Sequence, residues 1–319
     1  MDEFSIIERI SQLVKASDDV PVGIGDDGAV IDVSGASQLV TCTDTLVLGT
    51  HFPEQLSPDQ IAYRSLAVNI SDVCAMGATP RFAQLAVTLP SASEQWVDEF
   101  CMGLSRGLRE SGTTLIGGDT TRGPLSVTFQ MIGELNGPPV TRCGAELGDA
   151  VLVTGTLGDA AAGLRAIMEV EDNDLQANAR SQLISRFLEP VARIELGREL
   201  PNVAHAMIDI SDGLVADLGH IARDSGVGIE VDLDAVPLSP SLQSCYDFDD
   251  AVNLALCGGD DYELAFSLPE DCIERCSEIA AAANTTVTRI GRIVQGDGVV
   301  VHDARGAVYQ PPAGFRHFA

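Results

Sequence analysis

Six aspartates stand in short glycine- or serine-bearing segments of this chain. They are Asp27 in Gly23-Ile-Gly-Asp-Asp-Gly28, Asp44 in Thr43-Asp-Thr45, Asp72 in Asn69-Ile-Ser-Asp72, Asp119 in Gly117-Gly-Asp-Thr-Thr-Arg-Gly123, and Asp209 with Asp212 in Asp209-Ile-Ser-Asp-Gly-Leu214. Each is expected where a strand ends or a helix begins or runs past a site, which is where functional groups gather in α/β folds. Gathered in one pocket they would repel. Two unit charges about 4 Å apart, at an effective dielectric of about 20, repel by roughly 4 kcal/mol. Cations relieve that repulsion, and Mg²⁺ held by a few carboxylates usually implies a phosphate substrate. The chemistry that follows is metal-assisted phosphoryl transfer.

Each segment also has a plainer reading. Gly23–Gly28 reads equally as a tight turn, since glycine and aspartate are favoured there. It is no dinucleotide fingerprint, because no βαβ unit surrounds it. Asp26 and Asp27 are adjacent, so only one is expected to point into a site. Asp44 follows a strand and could cap a turn. Asn69 and Asp72 are three residues apart on one helix face. Their neighbours are strongly apolar, and a buried carboxylate needs compensation. In Gly117–Gly123, paired glycines let backbone approach a ligand, and Arg122 offers a planar fork for phosphate. Asp209–Leu214 joins a strand end to a helix start, whose amides favour anions; the alternative is that Ser211 merely caps the helix. Gly258-Gly-Asp-Asp-Tyr-Glu263 repeats the theme before a strand. His51, taken alone, reads as structural. The chain has no P-loop, no protein-kinase lysine and loop set, and no Gly-x-Ser-x-Gly.

The elements that must position these groups read as follows. A short amphipathic helix over Ile6–Val14 comes first, then strands at 38–43, 82–89, 113–116 and 126–134. The last residues of 113–116 lead into Gly117-Gly118-Asp119. A helix starts at Ser57-Pro58, with a hydroxyl cap and proline at its first position, and runs to about Met76. Another covers 94–110. Asn136-Gly-Pro-Pro139 is the first clear break, which divides the chain into domains at 1–139 and 148–319. In the second half, strands are expected at 150–154, 206–210, 263–268, 287–290 and 298–302, and helices at 159–168, 212–224 and 272–283. Strands and helices intermingle in both halves without barrel alternation, so the expected class is α/β or α+β in two domains.

Composition excludes several functions. A net charge of −28 opposes nucleic-acid binding and adhesion to anionic membranes. Lys15 is the only lysine, so a phosphate-cradling or Schiff-base lysine is excluded. The eight cysteines show no Cys-x-x-Cys or zinc spacing and read as thiols of a reducing compartment. With no signal-peptide pattern at Met1-Asp-Glu-Phe-Ser5, a cytoplasmic location is expected.

Taken in order, Gly-Ile-Gly-Asp-Asp, Thr-Asp-Thr-Leu-Val, Asn-Ile-Ser-Asp-Val-Cys-Ala-Met-Gly-Ala-Thr-Pro, Gly-Gly-Asp-Thr-Thr-Arg-Gly, Asp-Ile-Ser-Asp-Gly-Leu and Gly-Gly-Asp-Asp-Tyr-Glu-Leu span residues 23 to 264. This series, with the tail Gly314-Phe-Arg-His-Phe318, closely resembles the thiamine-monophosphate kinase family. That family lies within the aminoimidazole ribonucleotide synthetase superfamily, whose members use ATP without a P-loop. The resemblance implies an amino-terminal α/β domain that pairs across a homodimer, and a carboxy-terminal α/β domain. It implies ATP-dependent phosphorylation of thiamine monophosphate to thiamine diphosphate with several Mg²⁺ ions. By motif position, Asp27, Thr43, Asp44, Asp72, Asp119, Asp209 and Asp212 would ligate Mg²⁺; Gly118, Asp119, Arg142 and Ser211 would serve ATP; His51, Asp260 and Phe315 would contact the thiamine substrate. The family usually has glutamate where this chain has Asp260. It usually has serine or threonine at Cys42, so ligation there would pass to the backbone carbonyl.

Direct in-line transfer is the expected mechanism, with no catalytic base, because the attacking phosphate oxygen is already ionised at neutral pH. The rivals are other superfamily enzymes and a non-enzymatic cation binder. A selenophosphate synthetase would carry a reactive cysteine beside a lysine near its start, and a hydrogenase-maturation protein would end in cysteine. A calcium module would place its ligands in one loop. None of those patterns is found here.

Overall fold

A computed structural model describes residues 20–23, 25–33, 37–91, 93–169 and 176–312. The helix expected over 6–14, Lys15, and the tail with Phe315 lie outside the described residues. The described residues build two sheets. β1 (Ala29–Val33), β2 (Ser37–Val47), β3 (Thr79–Leu89), β4 (Thr114–Arg122) and β5 (Ser126–Glu134) form the first, in the order β1-β2-β5-β3-β4. Only β3 and β4 run parallel, and the crossover between them is α2 (Glu94–Ser111).

α1 (Pro58–Ala75) returns from β2 and covers one face of this sheet. Ser57 marks its start as expected, but the serine hydroxyl turns to Asp59 (2.6 Å) while its amide donates to Gln60 (3.0 Å). Along β5 the residues alternate between buried and half-buried. Val127, Phe129 and Met131 pack with Leu66, Val68, Ile70 and Val73 of α1. The other face has no such cover among the described residues. All nine residues of β4 are exposed, and Phe82 is an apolar side chain in the open on this face.

The second sheet comprises β6 (Ala150–Thr154), β7 (Ala206–Asp209), β8 (Gly228–Asp232), β9 (Leu264–Leu268), β10 (Val287–Val294), β11 (Gly298–His302) and β12 (Val308–Tyr309), ordered β12-β11-β8-β10-β6-β9-β7. Its helices are α3 (Asp159–Met168), α4 (Ala177–Leu188), α5 (Ile194–Glu199), α6 (Leu214–Ser225), α7 (Pro240–Cys245), α8 (Phe248–Cys257) and α9 (Ile273–Ala282). β6 and β9 are buried at every residue, because apolar clusters pack on both of their faces. The sheets lean on each other. Ala160 of α3 and Phe187 of α4 join the core under the first sheet, and Ala75 joins a core of the second.

The sequence expectation differs from the structure most at Gly117–Gly123. A loop was expected after residue 116, yet β4 runs on through Gly117, Gly118 and Asp119 to Arg122. The glycines permit it: Gly118 has φ 152°, and a Cβ there would sit 1.7 Å from the Leu85 carbonyl oxygen of β3. β8, inside the second sheet, had no counterpart in the reading of the sequence.

Candidate active site

Carboxylates meet where the two sheets adjoin. Asp27 lies in the turn before β1, Asp72 near the end of α1, and Asp209 at the end of β7. One oxygen from each lies within 4.8 Å of the other two. Asp44 of β2 is held beside them by Asn69, a fully buried residue one helical turn before Asp72 on α1. Its side-chain oxygen accepts the Asp44 amide (2.9 Å), and its Nδ2 donates to the Ser65 carbonyl (2.9 Å). A single asparagine therefore sets the strand against the helix, and brings the Asp44 and Asp72 charges together.

The electrostatics are those of crowded, buried carboxylates. Burial, reinforced by Asp209, Asp44 and Asp27, pushes the Asp72 carboxyl well above the usual range. Burial and Asp27 push Asp209 to about 8. Burial also raises Asp27, against the pull of Arg142. The Oδ2 atoms of Asp27 and Asp209 are buried with no hydrogen bond of good geometry. Buried oxygens rarely stay unpaired without reason. The charge that is present comes from Arg142, in the segment between the sheets. Its Nη2 donates to Asp27 (2.5 Å), its Nη1 to the Gly25 carbonyl (3.3 Å), and its amide to Asp26 (3.1 Å). Asp26 is thus turned away to hold backbone: it also accepts the Asp27 amide (2.9 Å). Its own carboxyl is raised to about 6, by burial first and Asp27 second. An all-oxygen cluster of three or four carboxylates with unpaired buried atoms fits a hard divalent cation such as Mg²⁺.

The remaining candidates fall into distinct places. The Cys42 thiol is buried and donates to the Asn69 carbonyl (3.4 Å). Burial, then the charges of Asp72 and Asp44, push its pKa far up. Thr43 alternates to the uncovered face of β2. Asp119 does the same on β4, in register with Ala86, Thr128 and Thr45. Gly118 is in register with Leu85, Phe129 and Asp44. β4 is three strand spacings from β2, about 14 Å. One copy of the chain therefore does not bring Gly118 or Asp119 to the Asp27–Asp72–Asp209 cluster.

Asp212 and Ser211 lie at the start of α6, where the sequence suggested amides available to anions. The structure corrects that expectation. The amides of Ser211, Asp212 and Gly213 all donate to Asp217 Oδ2, at 3.0, 3.1 and 3.1 Å. Asp217, missed in the sequence, is one turn into α6 and gave no signal beyond its i+4 spacing from Gly213.

His51 sits in the turn after β2, its Nδ1 accepting the Val47 amide (3.0 Å). Asp260 has φ 65° and is paired with the buried Arg64 of α1. α1 runs back along β2, so Arg64 lies towards the His51 end and Asp72 towards the Cys42 end. Asp261 and Glu263, neighbours in the same motif, are structural. Asp261 accepts the Gly158 amide at the start of α3 (2.8 Å). Glu263 is fully buried against Arg186, Arg193 and Thr154.

Two sheets with acidic residues gathered between them define a class. Residues 25–135 and 146–304 match the amino- and carboxy-terminal domain models of AIR synthase related proteins. Within that class the chain belongs to the thiamine-monophosphate kinase family, and it is an enzyme. It is 40% identical to thiamine-monophosphate kinase of Haemophilus influenzae, over 100% of this chain and 98% of that one. The crystal structure of thiamine-monophosphate kinase from Stenotrophomonas maltophilia is 43% identical, covers 94% of this chain and 96% of its own, and superposes with a TM-score of 0.79. AaThiL complexed with AMPPCP and TMP is 34% identical, covers 99% and 97%, and reaches a TM-score of 0.86. No described helix is long and apolar enough to cross a membrane.

Proposed function

We propose that this enzyme transfers the γ-phosphate of ATP to the phosphate of thiamine monophosphate, giving thiamine diphosphate. The observation that carries this is the convergence of Asp27, Asp72 and Asp209, with two buried carboxylate oxygens unpaired, in a relative of a protein solved with AMPPCP and TMP. Asp27, Asp44, Asp72 and Asp209 hold divalent ions, with Asp212 and the carbonyls of Cys42 and Thr43 at the margin. Such ions would screen the charge on two polyanionic phosphates and align them for in-line displacement. Arg142, Gly118 and Ser211 serve the nucleotide, the first through its planar fork. His51 and Asp260, with Phe315 outside the described residues, contact the thiamine moiety. Asp260 is one methylene shorter than glutamate, so its reach depends on how the loop carrying it is held.

No side chain takes a proton in this scheme. The cluster contains no histidine–carboxylate or serine–histidine pair, and an ionised phosphate needs none. Transfer is direct, without a phosphorylated aspartate.

The active species is a homodimer in the cytoplasm, with no nucleic acid or membrane as partner. A second copy on the uncovered face of the first sheet would bury Phe82, and a second copy would be the source of Gly118 and Asp119. Residues 1–139 and 148–319 are the two units, and proteolysis between them tests that boundary.

Incubation with ATP, Mg²⁺ and thiamine monophosphate should yield thiamine diphosphate and ADP in equal amounts. Formation of ADP and free phosphate with no diphosphate product would defeat the reading. With γ-labelled ATP alone, the protein should remain unlabelled after denaturation.

A further inference from the structure

Arg64 is the bulkiest charged side chain that this fold buries completely, with a relative exposure of 1%. A guanidinium is removed from water only where partners fix it in place. Its Nη2 pairs with Asp260 Oδ1, and its Nη1 donates to the Phe187 carbonyl at 2.5 Å. Its Cζ lies 4.0 Å from the centre of the Phe187 ring and 5.8 Å from that of Tyr262. It comes from α1, two turns before Asp72. The helix that carries Asp72 of the carboxylate cluster therefore also grips the opposite half of the molecule.

What it grips is a constrained loop. Asp260 and Tyr262 have φ 65° and 51°, in the left-handed region that side chains other than glycine rarely adopt. Their amides are tied to the end of β7: Asp260 donates to the Ser211 carbonyl (2.8 Å) and Tyr262 to the Ile210 carbonyl (2.9 Å). Such a conformation persists only where its surroundings over-determine it, and it is typical of ligand clamps. The Asp260 contacts from Arg64 and from the Tyr262 hydroxyl (3.3 Å) both fall on Oδ1, while about a quarter of its side chain faces solvent. One oxygen is anchored, and the carboxylate is thereby aimed.

We propose that Arg64 is a positioning residue: it fixes Asp260 so that its outer oxygen meets the cationic part of the acceptor substrate, and so sets affinity for that substrate rather than for ATP. This rests on the reading of thiamine monophosphate as acceptor, whose thiazolium ring carries the positive charge. A fork is needed because carbonyl, carboxylate and two ring faces must be met at once, which an ammonium group cannot do.

The test separates the two Michaelis constants in the Mg²⁺-loaded full chain. In Arg64→Lys, KM for thiamine monophosphate should rise about tenfold or more, with KM for ATP within about twofold of wild type. Arg64→Met should do the same more strongly. In the pair Arg64→Met and Asp260→Asn, the double variant should be no worse than Asp260→Asn alone. Should Arg64→Met fail to fold, Arg64→Lys combined with Asp260→Asn gives the same comparison. An equal rise in both constants, an unchanged KM for the acceptor, or additive effects in the double variant would overturn the proposal. If wild type itself makes no thiamine diphosphate, the acceptor reading fails and this one falls with it; if wild type is active, only the role of Arg64 is at stake.

Discussion

Arg142 sets a positive charge beside the carboxylates that would hold a cation. It is the positive group on Asp27, at 2.5 Å, in a cluster where Asp72, Asp209 and Asp44 repel one another. The guanidinium takes Oδ1 of Asp27 and leaves Oδ2 unpaired, so a divalent ion on Oδ2 would meet the repulsion of a fixed positive charge close by. Arg142→Gln should therefore tighten Mn²⁺ binding to the nucleotide-free protein by about tenfold, about 1.4 kcal/mol, while ATP binding weakens. Electron paramagnetic resonance of free Mn²⁺ and calorimetry with ATP read the two effects separately. Weaker Mn²⁺ binding in the variant would mean that Arg142 organises the cluster instead of opposing the ion. The raised carboxyls make a second prediction. Asp209 rises from 3.8 to about 8, so across that range the folded protein holds a proton that the unfolded chain has lost. The cation-free fold thus loses stability as pH climbs from about 4 to about 8, and bound Mg²⁺ should restore it. The thermal upshift caused by Mg²⁺ is expected to be larger near pH 8.5 than near pH 6. An upshift that does not change with pH would mean ordinary carboxyls. These residues were legible because glycine and serine neighbours set them apart from the other acidic residues of a chain with 47. Arg64 was not, since nothing around Tyr63-Arg64-Ser65 distinguishes a buried guanidinium from a solvated one.

At the scale of elements, the same acidic chemistry serves two ends. Asp72 and Asp209 face the cluster, whereas Asp217 and Asp261 are turned inward to close helix starts. Asp217 collects three amides that would otherwise be orphaned at the entry to α6. It also fixes the turn that carries Ser211 and Asp212. Asp217→Ala should cost at least about 2 kcal/mol by urea unfolding, since each buried donor left unpaired costs about 1–3 kcal/mol. Asp217→Asn keeps an acceptor oxygen and should lose much less. Equal losses in both variants would place the requirement on the charge, not on the acceptor. The sequence pattern alone locates the helix start at Ser57 and the strands that alternate, because those rules act over a few residues. It misjudged Gly117–Gly123 for a physical reason. Two glycines look like a loop in isolation, but the Leu85 carbonyl lies where a Cβ of Gly118 would be. The glycines are there so that β4 can pair with β3. Close approach between strands is decided by a partner some thirty residues away in sequence, and no local pattern carries it.

The whole molecule places its two acidic groups on opposite faces of one sheet. The Asp27–Asp72–Asp209 cluster lies on the side covered by α1, while Asp119 shares its face with Thr45 and Thr128, three strand spacings across. Folding a single chain cannot close that gap without unpairing β4 from β3. A second copy of the chain can supply the missing Asp119, and the exposed Phe82 gives apolar surface for a contact between copies. If the site takes its Asp119 from the second copy, two inactive variants can repair each other. Asp44→Asn spoils the cluster of its own chain, and Asp119→Asn spoils the contribution it makes to the other chain. In a mixed dimer one site then carries both lesions and the other carries none. Unfolded and refolded together in equal amounts, half of the dimers would be mixed, each with one intact site. Activity should return to about a quarter of wild type, while each variant refolded alone stays inactive. Were Asp119 to act within its own chain, every site in every dimer would keep one lesion, and the mixture would be as dead as its parts. Light scattering on the refolded mixture, checked for dimer mass, guards against counting monomers as failure.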